Sequence, residues 1–238
     1  MQMIITMAGE GRRFRDAGYD CPKYMIMAKG KSLFEWSMDS LVDFNFHVSQ
    51  YLFVVRKEDG AREFILNHMD QYGINHIEIM EIDHLTDGQA TTCMMAIPLC
   101  NTKESIMVYN IDTYVEPYGM KYRDIDGEGY IPCFHASGSH WSFVKIDGMG
   151  RAIEVREKVR ISDNCTLGAY YFASAGMYER IYRDLYIDGD KMENTEKYIA
   201  PMYNYMIDRG MKISISIVDS KKVHVLGTPE ELEIFKAI

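Results

Sequence analysis

Met7-Ala8-Gly9-Glu10-Gly11-Arg12-Arg13-Phe14 follows directly on the apolar run Met3-Ile4-Ile5-Thr6, and Pro22-Lys23 comes shortly after it. A β-forming run that stops at two glycines two apart describes a strand giving way to a loop, with access to backbone angles closed to other residues. Such a loop can bring its N–H groups against an anion. Between Gly11 and Lys31 the chain carries six cationic side chains, Arg12, Arg13, Arg15, Lys23, Lys29 and Lys31, against Asp16 and Asp20, in a protein of formal net charge -9. That local surplus suits a polyphosphate held by backbone donors, guanidinium and ammonium groups. A solvated basic loop is the plainer reading of the charge alone. Two phosphate-binding signatures are excluded. A Walker A loop ends as Gly30-Lys31-Ser32 does, but Met25 stands at its first glycine, and the dinucleotide fingerprint Gly-x-Gly-x-x-Gly fails at Phe14.

Outward from this loop, strand and helix patterns alternate. Ser32 opens a helix with Glu35 as its capping-box partner, and the apolar spacing carries it to about Asp43. Tyr51 to Val55 is a continuous apolar run, the pattern of a central parallel strand covered on both faces. Residues from about Glu58 to Met69 return to helical spacing, Ile77 and Ile79 mark a third strand, and Ile106 to Ile111 a fourth. This alternation predicts right-handed crossovers and a mostly parallel sheet. From Gly129 to Phe172 the chain changes to short β-rich runs, Tyr130 to His135, Trp141 to Ile146 and Ile153 to Val155, with Asp147-Gly148-Met149-Gly150 as a hairpin loop. These predict mixed or antiparallel sheet. Helices are expected over 175–186 and 195–208, a strand over Ile213 to Ile217, and a last short helix from Pro229. One domain is expected, with a nucleotide-binding half over about 1–125 and an acceptor-binding half over about 126–238.

The 238 residues, 47% of them hydrophobic, can fill a continuous core. No apolar run approaches the roughly 20 residues of a membrane span, and Met1 passes into a strand without a leader pattern, so a cytoplasmic protein is expected. Five cysteines without Cys-x-x-Cys spacing suggest neither a disulfide framework nor a zinc knuckle. A pI of 5.3 and no long basic face argue against nucleic acid, while single nucleotides remain open.

Three further places carry chemistry. Asp112 lies just past the strand Met107 to Ile111, in the crevice where such sheets bind ligands, and could hold magnesium, which takes one or two protein carboxylates. A turn former or helix cap is the commoner reading of such an aspartate. Gly88-Gln89 precedes a helix and allows close backbone approach together with an amide that could read a base edge, or it is a helix start capped by Asp87. Glu157-Lys158 terminates the strand around Ile153, and on charge alone reads as a solvated hairpin end.

Gly9-Glu10-Gly11-Arg12-Arg13-Phe14, then Pro22-Lys23, then Gly30-Lys31-Ser32-Leu33 together resemble, in order, the N-terminal signature of the sugar-phosphate nucleotidylyltransferases, the NTP transferase family. Arg12 stands at its usual threonine and Ser32 at its usual proline. The resemblance implies a single-domain, GT-A/Rossmann-like nucleotide-diphospho-sugar transferase fold of α/β class, with a mostly parallel central sheet and a mixed acceptor-side sheet. It implies that Ala8, Gly9, Gly11 and Arg12 cradle a nucleoside triphosphate, that Arg13 and Lys23 are catalytic, and that Gly88 and Gln89 meet the nucleotide. Asp112 would bind Mg2+. On the acceptor side it implies Glu157, Lys158, Gly168 and Glu196, with Asn164 to Tyr170 resembling a pocket-lining Asn-x-Gly-x-Tyr block that carries two extra residues. Gly227-Thr228-Pro229-Glu230 resembles the family's closing Asp-x-Gly-Thr-Pro-Glu, with Val225 in place of the aspartate that supplies the second metal carboxylate; Asp219 or His224 could substitute. The activity implied is transfer of a nucleoside monophosphate from the triphosphate to a phosphorylated acceptor, a sugar 1-phosphate by default, with release of pyrophosphate, in a small bacterial surface-polysaccharide-type member. A cytidylyltransferase acting on a non-sugar phosphate or phosphonate, a GT-A glycosyltransferase using a nucleotide sugar, and a nucleotide-binding regulator are the alternatives. A homo-oligomer stays open.

Overall fold

The computed structural model describes residues 1–189 and 196–238. β1 (Gln2–Thr6) leads through a short helix α1 (Arg12–Asp16) and a small hairpin of β2 (Met27–Ala28) and β3 (Lys31–Ser32) into α2 (Leu33–Asp39). β4 (Gln50–Arg56), α3 (Arg62–Asp70), β5 (Ile77–Ile82), α4 (Gln89–Ala96), β6 (Ile106–Asn110) and β7 (Thr113–Val115) follow. Beyond them lie β8 (Gly129–His135), β9 (Ser142–Ile146), β10 (Ala152–Glu157), β11 (Asn164–Thr166) and β12 (Ala169–Phe172). The chain then forms α5 (Ala175–Tyr182), α6 (Ala200–Ile207), β13 (Ile213–Ile217), β14 (Val223–Val225) and α7 (Pro229–Ala237).

A ten-stranded sheet runs in the order β10-β9-β11-β8-β12-β6-β1-β4-β5, with β13 paired to β8. β6, β1, β4 and β5 are parallel, and their register sets Thr6 beside both Val54 and Asn110. β12 joins β6 antiparallel, and β11, β9 and β10 continue antiparallel, while β13 returns parallel to β8. This is the expected α/β architecture, a parallel region extended by a mixed one. Alternate side chains of the central strands enter different cores. Ile4, Leu52, Val54 and Val108 pack with Ala90, Tyr178 and Met202 from α4, α5 and α6. Met3, Ile5, Tyr51, Phe53 and Met107 pack on the other face with Phe34 and Ile65 from α2 and α3. Both faces are covered, which is why these strands read as unbroken apolar runs. A third cluster joins Phe14 to Leu33, Tyr114, Leu226, Leu232 and Phe235, docking α7 behind the glycine loop.

Helix ends differ from the sequence pattern where tertiary bonds compete. α2 stops at Asp39 rather than Asp43, with the Ser40 hydroxyl accepting the Val115 N–H at 2.9 Å. Gly60, at φ 58°, separates a turn over 57–59 from α3. α5 widens after Tyr182 into a π turn over Arg183–Ile187. Of the helix expected over 195–208, Thr195 lies outside the described residues. The observed helix starts at Ala200, because Lys197 is held in a strand-like exchange: its N–H donates to Asp87 O (2.7 Å) and its carbonyl accepts from Ala90 N–H (3.0 Å).

Candidate active site

The carboxyl ends of β1 and β6 open onto a cleft of about 680 Å³, the place where open α/β sheets bind ligands. Ala8, Gly9, Gly11, Arg12 and Arg13 form one wall. Met7 N–H still pairs with Val54 O at 2.9 Å, but among the described residues the N–H groups of residues 8–11 have no partner within the protein. Gly11 turns the chain at φ +62°, in the left-handed region, and a Cβ there would meet Lys23 Cβ at 3.6 Å. Its carbonyl then accepts from Phe14 and Arg15 to begin α1. Phe14, buried, is the anchor that holds this loop to the third core.

The six cations divide. Arg12, Arg13 and Lys23 line the cleft, whereas Arg15 turns to Glu10 (4.0 Å), Lys29 lies over the Phe235 ring (4.9 Å) and Lys31 pairs with Asp39 (2.6 Å). Lys23 Nζ is ion-paired with Asp112 at the cleft floor. The Asp112 side chain stays 44% exposed, so its carboxylate is open to a ligand while already holding one cation. β14 pairs with β7, setting Val225 opposite Thr113, and Leu226 N–H donates to Asp112 O at 2.7 Å. Val225 therefore reaches the cleft but offers nothing that coordinates. Asp219 accepts the Lys221 N–H (3.0 Å), and His224 stacks on Tyr114 (5.3 Å between centroids) with Nε2 3.5 Å from Glu116; neither lines the cleft. Glu231, from the first turn of α7, does line it, and its Oε2 is buried with no hydrogen-bond partner among the described residues.

On the far side of the glycine loop, Gln89 Nε2 donates to Thr6 Oγ1 at 3.0 Å, fixing the amide at the end of β1. Gly88 has φ +140°, and a Cβ would sit 2.3 Å from Lys197 O. The close approach it permits is to the chain's own 197 backbone. Asp87 does not cap the helix; it pairs with Lys197 (2.8 Å) and accepts from Thr91. Partial burial opposes its charge, yet these two bonds hold its carboxyl below the ordinary value.

The opposite wall carries Glu157, Gly168 and Glu196, with Trp141, Ser142, Tyr170 and Tyr198 around them. Glu157 accepts the Ser142 hydroxyl. Lys158 stands at the rim, outside the lining residues, with φ 55°. Its Nζ donates to Tyr198 OH at 2.8 Å and sits 4.8 Å from that ring's centroid. The Tyr198 bond raises the ammonium above its ordinary value against partial desolvation, and Glu157 and Glu196 add to it. Gly168 has φ +75°, and a Cβ would fall 2.1 Å from Asn110 Nδ2. Asn110 N–H donates to Gly168 O (3.1 Å), and its own Oδ1 is buried and unpartnered among the described residues. Asn164 is not in the cleft: its amide donates to Val144 O (3.0 Å) and meets His135 (3.2 Å).

Sequence reasoning missed Asn110, Trp141, Tyr198 and Glu231. For Asn110 a signal existed, since residues two apart on an extended chain share a side and Asp112 is its neighbour. Glu231 was hidden because Thr228-x-x-Glu231 reads first as a capping box. The assembled cleft offers N–H donors and cations on one wall, a carboxylate with its ammonium on the floor, and carboxylates, aromatic rings and an ammonium at the other wall. It suits a polyphosphate lying beside a second polar molecule.

No family model and no curated protein matches the chain, but solved structures do. The nucleoside-diphosphate-sugar pyrophosphorylase from Vibrio cholerae RC9 is 33% identical over 100% of both chains, with a TM-score of 0.90. The inositol-1-phosphate CTP transferase from T. maritima is 16% identical over 97% of this chain and 90% of its own, with a TM-score of 0.76. A Bacillus anthracis protein assigned as a glucose-1-phosphate thymidylyltransferase is 16% identical over 100% of this chain and 94% of its own, at 0.79. The last two share the fold.

Proposed function

The chain belongs to the NTP transferase family of sugar-phosphate nucleotidyltransferases, and we propose that it transfers a nucleoside monophosphate from a triphosphate to a sugar 1-phosphate. An oxygen of the acceptor phosphate attacks the α-phosphorus in line, the bond from that phosphorus to the β-phosphate bridge breaks, and pyrophosphate leaves with the bridging oxygen. The acceptor phosphate is already anionic at neutral pH, with a second pKa of about 6, so no general base is required. Catalysis is positioning and charge neutralisation.

The observation that carries this reading is the pairing of Lys23 with Asp112 at the floor, between unpartnered N–H groups on one wall and Glu157 and Glu196 on the other. The loop N–H groups of residues 8–11 and Arg12 cradle the triphosphate, and Arg13 holds the departing pyrophosphate. Lys23 leaves Asp112 for an α-phosphate oxygen. Gln89 and Gly88 border the nucleoside, Glu157 and Glu196 accept from acceptor hydroxyls across the ring of Trp141, and Lys158 meets the incoming phosphate from the rim.

The family implies a divalent cation, and the residues present suit one. Among the described residues no group of three or more His, Cys, Asp or Glu forms a metal site, which agrees with an ion completed by phosphates and water. Asp112 would hold it, and when bound it supplies positive charge to the phosphate oxygens. A GT-A glycosyltransferase would carry a second acid at Asn110-Ile111-Asp112, where this chain has asparagine.

The test is pyrophosphate release from each nucleoside triphosphate against a panel of sugar 1-phosphates, phosphocholine and a phosphonate. Release with one triphosphate and a sugar 1-phosphate is expected. Release with none, or turnover of a nucleotide sugar instead, overturns the reading.

A further inference from the structure

We propose that Glu231 is the second carboxylate of the cation site, acting beside Asp112 in the place that Val225 cannot fill; the inference rests on the transferase reading above. Its basis is a helix start that departs from its own pattern. Ser32-x-x-Glu35 and Thr228-x-x-Glu231 have the same spacing. At α2 the box closes, with Glu35 Oε2 accepting the Ser32 N–H and hydroxyl, each at 2.7 Å. At α7 only half of it forms. Thr228 Oγ1 accepts the Glu231 N–H at 3.2 Å, and the Glu231 carboxylate does not return the bond. Its Oε2 is left buried without a hydrogen-bond partner among the described residues.

That oxygen and Asp112 Oδ2 both border Gly227. A Cβ placed on Gly227 would be 3.3 Å from Glu231 Oε2 and 3.9 Å from Asp112 Oδ2, so both carboxylates border one small space that glycine keeps clear. The Leu226 N–H to Asp112 carbonyl bond fixes the start of α7 against the metal-side loop, and both acids line the cleft. Among the described residues Lys23 pairs with Asp112 and not with Glu231. A buried carboxylate oxygen with no donor among the described residues is costly to keep in any fold. A divalent cation held by Asp112 and Glu231 would supply the missing partner.

The bland account is that Glu231 only places negative charge in the first turn of α7. The two accounts separate in Mn2+ titrations of the full chain followed by the loss of free-ion electron paramagnetic resonance signal, in the wild type, Glu231→Gln, Asp112→Asn and the double variant, with thermal melts alongside. Glu231→Gln is expected to weaken Mn2+ binding by about tenfold or more, to shrink the Mn2+-induced rise in melting temperature, and not to lower the metal-free melting temperature. Asp112→Asn weakens binding likewise, and the double variant binds no ion. Wild-type Mn2+ affinity in Glu231→Gln, or no Mn2+ binding by the wild type, overturns the inference. If Glu231→Gln binds as wild type while the unaltered chain releases pyrophosphate, only the role of Glu231 falls. Weakened Mn2+ binding in that variant, with no pyrophosphate from any substrate pair, leaves the site standing and removes the transferase reading.

Discussion

Gly168→Ala tests the geometry of the cleft floor more directly than any change of charge. The methyl group would be placed 2.1 Å from Asn110 Nδ2 and 2.5 Å from its Cγ and Oδ1, on a residue whose φ is +75°. An L-residue held in the left-handed region costs about 1–2 kcal/mol. Expelling the Asn110 side chain adds about 1–2 kcal/mol of overpacking, with little hydrogen bonding to lose because Asn110 Oδ1 has no partner among the described residues. The sum is about 2–4 kcal/mol, a fall of roughly 5–15 °C in melting temperature for a chain of this size. Urea unfolding of wild type, Gly168→Ala, Asn110→Ala and the double variant measures each part. In the Asn110→Ala background the steric part vanishes and only about 1–2 kcal/mol should remain, giving a coupling energy of about 1–2 kcal/mol. Equal destabilisation by Gly168→Ala in both backgrounds would refute the contact.

Lys23→Met should lower turnover by at least about two orders of magnitude. It should cost no more than about 1 kcal/mol of stability, because the Asp112 carboxylate it abandons is 44% exposed; wild-type turnover would remove Lys23 from the mechanism. Burial works against the charge of Glu35, yet bonds from the Ser32 N–H and hydroxyl, with Gln71 and His68, hold its carboxyl below the ordinary 4.5. A depressed folded value means stability that is complete above the ordinary carboxylate range and lost as pH falls through the folded value. Urea midpoints measured between about pH 5 and about pH 3 should therefore fall less steeply for Glu35→Gln than for wild type; parallel curves would show that the box contributes nothing to acid stability. His224→Gln should leave pyrophosphate release within about twofold of wild type, since His224 is stacked on Tyr114 and outside the cleft; a deep loss would restore it as a ligand.

The parallel half was legible because burial on both faces wrote Tyr51 to Val55 and Ile106 to Tyr109 as unbroken apolar runs. Helix ends were less so. The fates of Ser40 and Lys197 depend on partners at Val115 and Asp87, which no local periodicity can announce. The glycine loop was readable from composition, but the division of its cations was not. Lys29 and Lys31 are drawn off by Phe235 and Asp39, contacts set by where α7 and α2 dock. Glu157 and Glu196 do reach the cleft, while Asn164 turns to Val144 and Lys158 stands back against Tyr198. Gly88 lines the cleft as well, and the Lys197 main chain packed against it was not readable from its neighbours in sequence.

That main-chain crossing joins the two shores of the cleft. Residues 87–90 border the Gln89 side and residues 196–200 carry Glu196 and Tyr198 on the other, yet two backbone bonds and the Asp87–Lys197 pair fasten them together. Neither segment can therefore shift without carrying the other or breaking these bonds.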